Sequence, residues 1–384
     1  MKVAVLGYGT VGVGVYSMLS DAPGMEAGPV LVRPGKAVES FMVSDAALIF
    51  GDPTVDAVVE TLGGLDPAYS YGMRALEAGK HFITANKAMV ASHGLELAAL
   101  AREKGAAFLF SAACGGGVPF LHNLALSAET DRIEAVSGIL NGTTNYMLDA
   151  MQRRSLSYGD ALREAQSLGY AESDPTADVS GLDALRKMQL ACAVAFGVLP
   201  QSGMLCEGME HFTAADVEDI QSRGLVCRLL ARGSRAGESV SAYVEPVLFH
   251  RAAPESSVFT NNNMASYTGK RCGSIVLMGQ GAGRFPTASA VLRDLSAAQQ
   301  GARSMFPENC RAAEADNREA VHSYYIRTGG FAAVRLSLRS VLAQGEVVRA
   351  VTEPMSAEKM HALAQNIRKD GNDLFFAALE EELC

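Results

Sequence analysis

The first twenty residues constrain the fold more than any other stretch of this chain. Residues 2–19, KVAVLGYGTVGVGVYSML, combine a β-branched apolar run, three glycines and apolar residues at helical spacing, a pattern that predicts a strand, a tight turn and a helix. The glycines fit the G-x-G-x-x-G pattern, in which the helix N-terminus faces the pyrophosphate of a dinucleotide. A glycine-rich turn without a ligand is the alternative. The predicted cofactor contacts in this turn are Gly7, Gly9, Thr10, Val11 and Gly12.

The next segment bears on the choice between NAD and NADP. In an NAD site, an acidic residue usually lies about twenty residues further on and binds the ribose hydroxyl. Here the second predicted strand, PVLVRPGKAV, ends in Arg33, with Lys36 close behind and no acid at that place. A cation there can receive a 2′-phosphate, so the sequence favours NADP over NAD. An ordinary exposed arginine is the alternative.

Strands and helices continue to alternate over the following stretch. Three further predicted strands alternate with two predicted helices, in the order 56–64, 67–78, 80–91, 94–104 and 106–113. This alternation predicts an α/β fold with a Rossmann-type, doubly wound parallel sheet, in which ligands bind beyond the carboxyl ends of the strands. Gly63 and Lys87 would line that edge, although a solvated lysine is the alternative for Lys87.

Length and charge exclude several classes of protein. A chain of 384 residues exceeds what one hydrophobic core usually supports, so we expect two or three domains. The net charge of -9 and the lack of a basic block argue against nucleic-acid binding. No apolar run reaches the length of about 18 residues that a membrane span needs. The seven cysteines have no metal-like spacing, and free thiols indicate a reducing compartment, the cytoplasm.

Two polar stretches follow the predicted sheet. CGGGVPF (114–120) is a glycine-rich turn that suits a domain boundary, and its backbone carbonyls can coordinate a hard cation. IEAVSGILNGTTNYML (133–148) predicts a strand that runs into a loop of small polar residues. Asn141 and Thr143 in this loop are candidates to bind hydroxyl or amide groups of a ligand.

A cluster of charged side chains lies further along the chain. A predicted helix ends at Gly169 in a left-handed cap, and a second helix begins near Gly181, with Asp183 and Lys187 at i and i+4 on one face. Because this helix is apolar on most other sides, we expect buried surroundings, which can move the pKa of Lys187 toward that of a general acid or base. An ion pair that only anchors the helix is the alternative, and spacing does not decide between them.

Seven motifs then stand in a fixed order along about the first 310 residues. They are GYGTVG, ETLGG, TANKA, GGGVPF, ILNGTTNYML, GYAESDPTADVSGLDALRK and GQGAGRFPTASAV. In this order they resemble the homoserine dehydrogenase family. The resemblance implies a reversible, NAD(P)-dependent interconversion of L-homoserine and L-aspartate 4-semialdehyde, in the pathway to threonine and methionine.

The resemblance also implies roles for individual residues. Lys187 would exchange a proton with the substrate oxygen, and Lys87 would be a second essential lysine near the nicotinamide and the substrate. Glu172, Asp178 and Asp183 would receive the substrate's amino group or order water beside its hydroxyl group, which places Asp183 in the catalytic set as well.

The order of the motifs implies a discontinuous dinucleotide-binding domain. The GQGAGRFPTASAV segment would return the chain to the first domain, with Gly283 near the nicotinamide. We predict a dinucleotide-binding domain at 1–113 plus 281–315 and an inserted α+β domain for substrate binding and dimerisation at 114–280. A short C-terminal module at 318–384 resembles a βαββαβ (ACT-like) domain with a shortened first helix. We therefore expect it to serve packing or dimerisation, since threonine binding would need a complete effector pocket.

The family also holds a sodium ion on loop carbonyls. The corresponding backbone ligands would be Ser111, Cys114, Gly116 and Val118. Relatives usually have a glutamate at the position of Ser111, and the loss of that charge leaves a bound sodium ion and a merely structural loop as alternatives.

Two other functions stay open from the sequence. One is an NAD(P)-dependent reductase of another amino-acid-derived aldehyde, which would not need this whole set of carboxylates. The other is a catalytically silent regulatory homologue, although Lys87 and Lys187 are both present. The apolar strands around 240–280 suit a sheet that continues across a subunit interface, so we expect a homodimer or homotetramer.

Overall fold

A computed structural model describes residues 1–329 and 337–380 of the chain. The strands are β1 (Lys2–Leu6), β2 (Glu26–Leu31), β3 (Met42–Val43), β4 (Ala57–Glu60), β5 (His81–Thr84), β6 (Phe108–Leu109), β7 (Ile133–Ile139), β8 (Val198–Ser202), β9 (Leu205–Cys206), β10 (Leu225–Ala236), β11 (Ser239–His250), β12 (Asn262–Gly269), β13 (Gly273–Gln280), β14 (Arg311–Glu314), β15 (Val321–His322), β16 (Tyr324–Gly329), β17 (Leu338–Ala343), β18 (Val347–Thr352), β19 (Met355–Ser356) and β20 (Leu374–Leu379). The helices are α1 (Thr10–Leu19), α2 (Ala47–Phe50), α3 (Ala68–Glu77), α4 (Lys87–Lys104), α5 (Phe120–Thr130), α6 (Gly142–Arg154), α7 (Tyr158–Ser167), α8 (Thr176–Val179), α9 (Leu182–Phe196), α10 (Ala214–Ser222), α11 (Arg284–Gln299) and α12 (Ala357–Lys369).

The first six strands form one parallel sheet. Their order is β3-β2-β1-β4-β5-β6, which is the order of dinucleotide-binding Rossmann folds. Strand β4 and most of β1 are fully buried, as expected for parallel strands that are covered by helices on both faces. The doubly wound parallel sheet that the alternation predicts is therefore confirmed.

Helix α11 brings the chain back to this first sheet. A Cβ atom on Gly14 of α1 would lie 2.8 Å from Cγ of Arg284 at the start of α11, so the two helices touch closely at this glycine. Beyond α11, the N–H of Phe108 donates to the carbonyl of Arg303 at 2.8 Å. These contacts agree with a discontinuous first domain, while the domain boundaries themselves stay predictions.

The second sheet has ten strands and carries helix α9 on one face. Its order is β13-β12-β7-β10-β11-β20-β16-β18-β17, and β9 pairs with β11 beside this path. Helix α9 approaches the sheet at Gly233 of β10, where a Cβ atom would lie only 2.6 Å from Sγ of Cys192. The close packing explains why this helix is apolar on most sides, and it fixes the direction of the one polar face that remains.

The C-terminal strands continue this second sheet. Four of them, β20-β16-β18-β17, are antiparallel in the order expected for a βαββαβ unit, and α12 packs on β20. Strand β20 pairs in parallel with β11 through Val247–Ala378 and Leu248–Leu379. The prediction of a shortened first helix falls on residues 330–336, which lie outside the described residues. Over 1–329 and 337–380, no helix is long and apolar enough to cross a bilayer.

The structure corrects several local predictions. The strand predicted at 80–91 is β5, which ends at Thr84, and the following helix α4 begins at Lys87 instead of near 94. The sequence predicts a polar loop at 141–145, but Asn141 caps α6 and the following residues form its first turn. An asparagine before small polar residues starts a helix as readily as a loop, because its side chain can cap the first free N–H groups. Residues 176–179, which lie between the helix predicted to end at Gly169 and the one predicted to begin near Gly181, form the short helix α8. Strand β6 stops at Leu109, and a 3-10 turn follows at Ser111–Ala113 within the strand predicted at 106–113.

Candidate active site

A cleft of about 1050 Å³ opens at the carboxyl ends of β1, β2 and β4. It lies at the point where the strand order of the first sheet reverses, the place where Rossmann folds bind dinucleotides. The predicted cofactor residues that line it are Gly7, Gly9, Arg33 and Gly63, together with Lys36.

The glycine turn of this cleft has the geometry that a pyrophosphate needs. Gly7 has φ +98°, which favours glycine, and a Cβ atom on Gly12 would lie 2.2 Å from the carbonyl oxygen of Gly7. A Cβ atom on Gly9 would meet no atom within 4 Å, so this side of the turn is open. Because the first N–H groups of a helix have no partner within it, Thr10 and Val11 offer donors to an anion.

Two cations and one acid follow β2 along the wall of the cleft. Arg33 lies two residues beyond Leu31, where β2 ends, rather than at the strand end that the sequence predicts. Arg33, Lys36 and Glu39 all line the cleft and are exposed. The side chains that could meet the adenosine ribose therefore include two positive charges and one negative charge.

A buried carboxylate that the sequence analysis missed supports the loop after β4. Glu60 is fully buried, and its Oε1 accepts the N–H groups of Leu62 at 2.6 Å and Gly63 at 3.1 Å. Its Oε2 accepts the hydroxyl of Thr84 at 2.5 Å. Glu60 thus fixes the position of Gly63 in the cleft. The sequence does contain a signal for this residue, because an acid ends an otherwise apolar strand. A charge buried at such a place needs hydrogen-bond partners.

The two predicted lysines meet at one carboxylate. Lys187 Nζ lies 2.6 Å from Oδ2 of Asp183, and Lys87 Nζ lies 3.0 Å from Oδ1. Lys187 also donates to the carbonyl oxygen of Leu140 at 2.6 Å. Lys87 is the first residue of α4, directly beyond β5, so the prediction that it faces the cleft edge agrees with its position.

Burial and charge set the protonation of this cluster. Burial alone would lower the pKa of Lys187, but the charge and hydrogen bond of Asp183 outweigh it, so the pKa lies above the ordinary value. Burial raises the pKa of Asp183, yet the charges of Lys187 and Lys87 dominate and hold it well below its usual range. The sequence suggested a pKa of Lys187 shifted toward neutrality. The direction of the shift is the opposite, because the carboxylate of Asp183 lies in direct contact with Lys187.

A second carboxylate stands beside the first. Asn141 Nδ2 donates to Oδ1 of Asp178 at 2.7 Å and to Oδ2 of Asp183 at 3.0 Å, so one amide links the two acids. Burial raises the pKa of Asp178, as does the charge of Asp183, against the hydrogen bond from Asn141. Thr143 is buried and donates to the carbonyl of Tyr170 at 2.6 Å.

Glu172 lies apart from these residues. It is exposed, and within the described part of the chain its carboxylate makes no hydrogen bond or ion pair with the cluster. The structure thus brings together Asn141, Asp178 and Asp183 with both lysines, but not Glu172. Its role stays a prediction from the resemblance.

The glycine-rich segment after β6 packs behind the cluster. Cys114 Sγ lies 3.8 Å from the carbonyl oxygen of Lys187, and burial raises the pKa of this thiol to about 12, so it stays neutral. Ser111 donates through its N–H at 2.8 Å and its hydroxyl at 2.6 Å to the carboxyl group of Asp294 on α11. Burial raises the pKa of Asp294 to about 7 in spite of these hydrogen bonds. The partner of Ser111 could not be found from the sequence, because the two positions are far apart along the chain.

The four predicted sodium ligands lie in this segment. The carbonyl of Ser111 accepts the N–H of Cys114 at 3.2 Å, and that of Val118 accepts the N–H of Phe120 at 2.8 Å. A Cβ atom on Gly116 would lie 2.4 Å from the carbonyl oxygen of Gly281, so the segment is held tightly. In the described ranges, no three His, Cys, Asp or Glu side chains are grouped to hold a metal ion.

A second residue that the sequence analysis missed is Asn263. It is 2% exposed, and neither its amide nitrogen nor its amide oxygen has a hydrogen-bond partner among the described residues. Its side chain packs on Gly281, where a Cβ atom would lie 2.0 Å from Cγ of Asn263, and its Oδ1 lies near Gly142. Asn263 therefore stands between the segment that leads to Gly283 and the start of α6. No motif in the sequence marked it.

The number of hydrogen-bond donors on Lys187 that are free for a ligand determines the chemistry that this site can support. A lysine ammonium group has three N–H donors, and Leu140 and Asp183 take two of them. The third has no acceptor in the described part of the chain, and the side chain is 12% exposed. A buried ammonium group with one free donor can give a proton to a ligand oxygen or, once neutral, accept one.

Comparisons with known proteins agree with this geometry. The family model for homoserine dehydrogenase matches residues 119–296, and the model for the homoserine dehydrogenase NAD-binding domain matches residues 7–111. The homoserine dehydrogenase of Synechocystis sp. is 37% identical over 319 residues, which cover 77% of this chain and 72% of the relative. That of Corynebacterium glutamicum is 38% identical over 76% of this chain and 70% of its own length. The crystal structure of a homoserine dehydrogenase from Thiobacillus denitrificans is 29% identical, covers 100% of this chain and 99% of its own, and superposes with a TM-score of 0.87.

Proposed function

Because this chain belongs to the homoserine dehydrogenase family, it is an NAD(P)-dependent oxidoreductase, and we propose that Lys187 is the group that exchanges the proton with its substrate. The reaction interconverts L-homoserine and L-aspartate 4-semialdehyde. The observation that carries the proposal is the one free N–H donor of a buried Lys187, beside carboxylates that suit an amino-acid ligand.

The substrate's ammonium group is assigned to Asp178 first. The carboxylate of Asp183 already contacts Lys87, Lys187 and Asn141, whereas the carboxylate of Asp178 interacts with the neutral side chains of Asn141 and Thr143 and has no ion pair within 4.0 Å among the described residues. A half-buried carboxylate without a cationic partner is stabilised by a cation that binds beside it, and the α-amino group of homoserine supplies one. The raised pKa of Asp178 agrees with this, since burial makes its charge costly until a cation arrives.

The proton route runs in both directions through Lys187. When the semialdehyde is reduced, the protonated side chain donates to the aldehyde oxygen. When homoserine is oxidised, the neutral side chain accepts the hydroxyl proton, and Asp183 stabilises the resulting cation. Leu140 and Asp183 hold the nitrogen in place in both states. The bound nicotinamide supplies the hydride chemistry, and the glycine turn with Thr10 and Val11 would hold its pyrophosphate.

The test is homoserine-dependent reduction of NADP and of NAD at alkaline pH with the purified chain. The product is identified as aspartate 4-semialdehyde by trapping its carbonyl group. 4-Hydroxybutyrate, which lacks the amino group, serves as the matched substrate. We expect turnover of homoserine and little of 4-hydroxybutyrate. Equal turnover of both would favour the reductase of another aldehyde, and activity with neither would favour a silent homologue.

The preference for NADP over NAD is a finer proposal, supported by Arg33 and Lys36 on the cleft wall. We expect Arg33→Ala to raise KM for NADP about tenfold, because a hydrogen bond to a charged group contributes about 1.5 kcal/mol and about 1.4 kcal/mol corresponds to a factor of ten. KM for NAD should change little. The matched variant is Glu39→Gln. If Glu39 bound the ribose as in NAD enzymes, Glu39→Gln would instead weaken the binding of NAD. That result would contradict the proposal.

A sodium ion on the carbonyls of Ser111, Cys114, Gly116 and Val118 stays a proposal. A carbonyl oxygen has two lone pairs, so those that already accept an N–H keep one for a cation. The buried carboxyl group of Asp294, with a pKa of about 7, lies next to Ser111 and adds negative potential there when it is ionised. A thermal unfolding midpoint that is higher in sodium chloride than in potassium chloride at equal ionic strength would support the site. Equal midpoints would leave a purely structural loop.

We propose a homodimer that joins two copies through β13. This strand lies at the end of the second sheet, and Val276 and Met278 on one of its faces are 48% and 60% exposed. A free edge with exposed apolar side chains suits pairing with another strand. Light scattering should give twice the mass of the chain, and Met278→Lys should shift it toward the monomer. A dimer that resists this variant would place the interface elsewhere.

We also propose a cytoplasmic location. The six described cysteines are free thiols, which is typical of proteins in a reducing compartment. Fractionation of the producing cells tests this directly, with activity expected in the cytoplasmic fraction.

A further inference from the structure

An ion pair joins the C-terminal module to the segment after β9. Arg368 on α12 donates to both carboxylate oxygens of Glu207, at 2.9 and 2.6 Å, and its side chain also donates to the carbonyl of Leu374. The side chains of Arg368 and Glu207 are only 20% and 10% exposed. A two-pronged contact between guanidinium and carboxylate fixes orientation as well as distance, so it holds Glu207 in one position.

The backbone around Glu207 is fixed to the second sheet. Strand β9 pairs with β11, and the N–H of Glu207 donates to the carbonyl of Val244 at 2.8 Å. The segment 206–209 is therefore held by β11 on one side and by the side chain of Arg368 on another.

The same segment supports the loop that carries Asp178. Cys206 Sγ donates to the carbonyl of Ser180 at 3.0 Å, and the N–H of Met209 donates to the carbonyl of Val179 at 2.9 Å. A Cβ atom on Gly208 would lie 2.2 Å from the carbonyl oxygen of Val179, so no gap separates the two segments. A shift of 206–209 must move the loop with it.

The supported loop leads directly into the catalytic helix. Asp178 lies in α8, and Gly181, with φ +83°, precedes Leu182, where α9 begins. A Cβ atom on Gly181 would lie 3.1 Å from both Sγ of Cys206 and Cγ1 of Val244. The start of α9, with Asp183 in its first turn, thus rests on the segment that Glu207 anchors.

We propose that Glu207 and Arg368 are positioning residues for the reaction. Through them, the C-terminal module holds in place the two carboxylates, Asp178 and Asp183, that face the substrate. The inference rests on the proposed function of Asp178 and Asp183. It gives the module a role in substrate binding that requires no effector. Neither Glu207 nor Arg368 touches the reacting atoms, so their effect has to pass through the 178–183 loop.

Glu207→Gln is the test variant, because it keeps the size of the side chain and removes its charge. We expect KM for homoserine to rise about tenfold, the size of effect that loss of a charged hydrogen-bond pair produces, with KM for NADP within about twofold. Arg368→Gln should also raise KM for homoserine, and it additionally removes the hydrogen bonds to the Leu374 carbonyl. The double variant should be no worse than Arg368→Gln alone, because both substitutions remove the same ion pair.

The matched control is Tyr325→Phe. The hydroxyl of Tyr325 joins the same module to Asp219 on α10 at 2.9 Å, and among the described hydrogen bonds it has none to 205–209. This variant should leave KM for homoserine unchanged, even if it lowers the unfolding midpoint. An equal rise in KM for Tyr325→Phe and Glu207→Gln would mean that only the stability of the module matters, which overturns the proposal.

Amide hydrogen exchange gives a measurement that does not depend on activity. In the ligand-free protein, residues 176–183 should exchange faster in Glu207→Gln than in the wild type or in Tyr325→Phe. Unchanged exchange and unchanged KM would refute the positioning role. If the wild-type chain did not oxidise homoserine, the proposed function would fail, while faster exchange in Glu207→Gln would still support the mechanical link.

Discussion

Replacement of Lys187 by alanine tests the proton route most directly. The variant removes the ammonium group that lies 2.6 Å from Leu140 O and 2.6 Å from Asp183 Oδ2. General acid–base catalysis by a positioned side chain typically contributes a factor of about 10² to 10⁴ in rate. We therefore expect kcat to fall at least about 100-fold, which corresponds to about 2.7 kcal/mol of transition-state stabilisation.

The structure indicates that this variant folds. Asp183 keeps its contact with Lys87 at 3.0 Å and the hydrogen bond from Asn141 at 3.0 Å, so its charge does not become uncompensated. Removing one partner of a buried ion pair costs about 3 to 5 kcal/mol when nothing replaces it. The second lysine should keep the loss below that range, measured by urea unfolding.

The assay is homoserine oxidation followed through the absorbance of the reduced cofactor, with cofactor binding titrated separately. The cofactor cleft lies on other elements, so the dissociation constant for NADP should be nearly unchanged. Arg186→Ala is the matched control, since Arg186 is the exposed neighbour of Lys187 on α9. Near-normal turnover in Lys187→Ala, or an equal loss in Arg186→Ala, would refute the assignment.

Three further predictions follow from the same geometry. Because the pKa of Lys187 is raised, its neutral form is a minor fraction near neutral pH and grows as the pH rises. The value of kcat/KM for homoserine oxidation should therefore rise about tenfold per pH unit from neutral into the alkaline range. A kcat/KM that does not change with pH in stopped assays would contradict this. Gly12→Ala places a methyl group 2.2 Å from the Gly7 carbonyl oxygen, so cofactor titration should show at least about tenfold weaker binding. Ser111→Ala removes one of the two hydrogen bonds to the buried Asp294 and should lower the free energy of unfolding by about 1 to 3 kcal/mol in urea.

The first sheet and its cleft could be predicted from the sequence because their signals are local. The glycine turn after β1 needs a positive φ at Gly7 and a close approach at Gly12, and both requirements leave glycines at fixed spacing. Alternating apolar runs and helical periods then determine a parallel sheet. For the same reason, the face of α9 that carries Asp183 and Lys187 was predictable from an i, i+4 spacing.

The parts that were missed depend on contacts between distant segments. Asn263 and the partner of Ser111 belong to no local pattern, since each acquires its contacts only when β12 packs on Gly281 and α11 packs on Ser111. The direction of the pKa shift of Lys187 also depends on the three-dimensional structure. Burial and an adjacent carboxylate have opposite effects, and only the distance of 2.6 Å to Asp183 decides between them.

The raised pKa of Lys187 also bears on how the amino group of the substrate affects the reaction. If Lys187 has the proposed role, its raised pKa means that it already carries the proton that reduction of the aldehyde requires. Oxidation requires a neutral Lys187. A homoserine ammonium group beside Asp178 adds positive charge next to the acids that Asn141 links, and so lowers the pKa of Lys187. On the proposed roles of Asp178 and Lys187, the amino group would then assist catalysis as well as recognition, which would explain why the carboxylates and the lysine lie in one cluster.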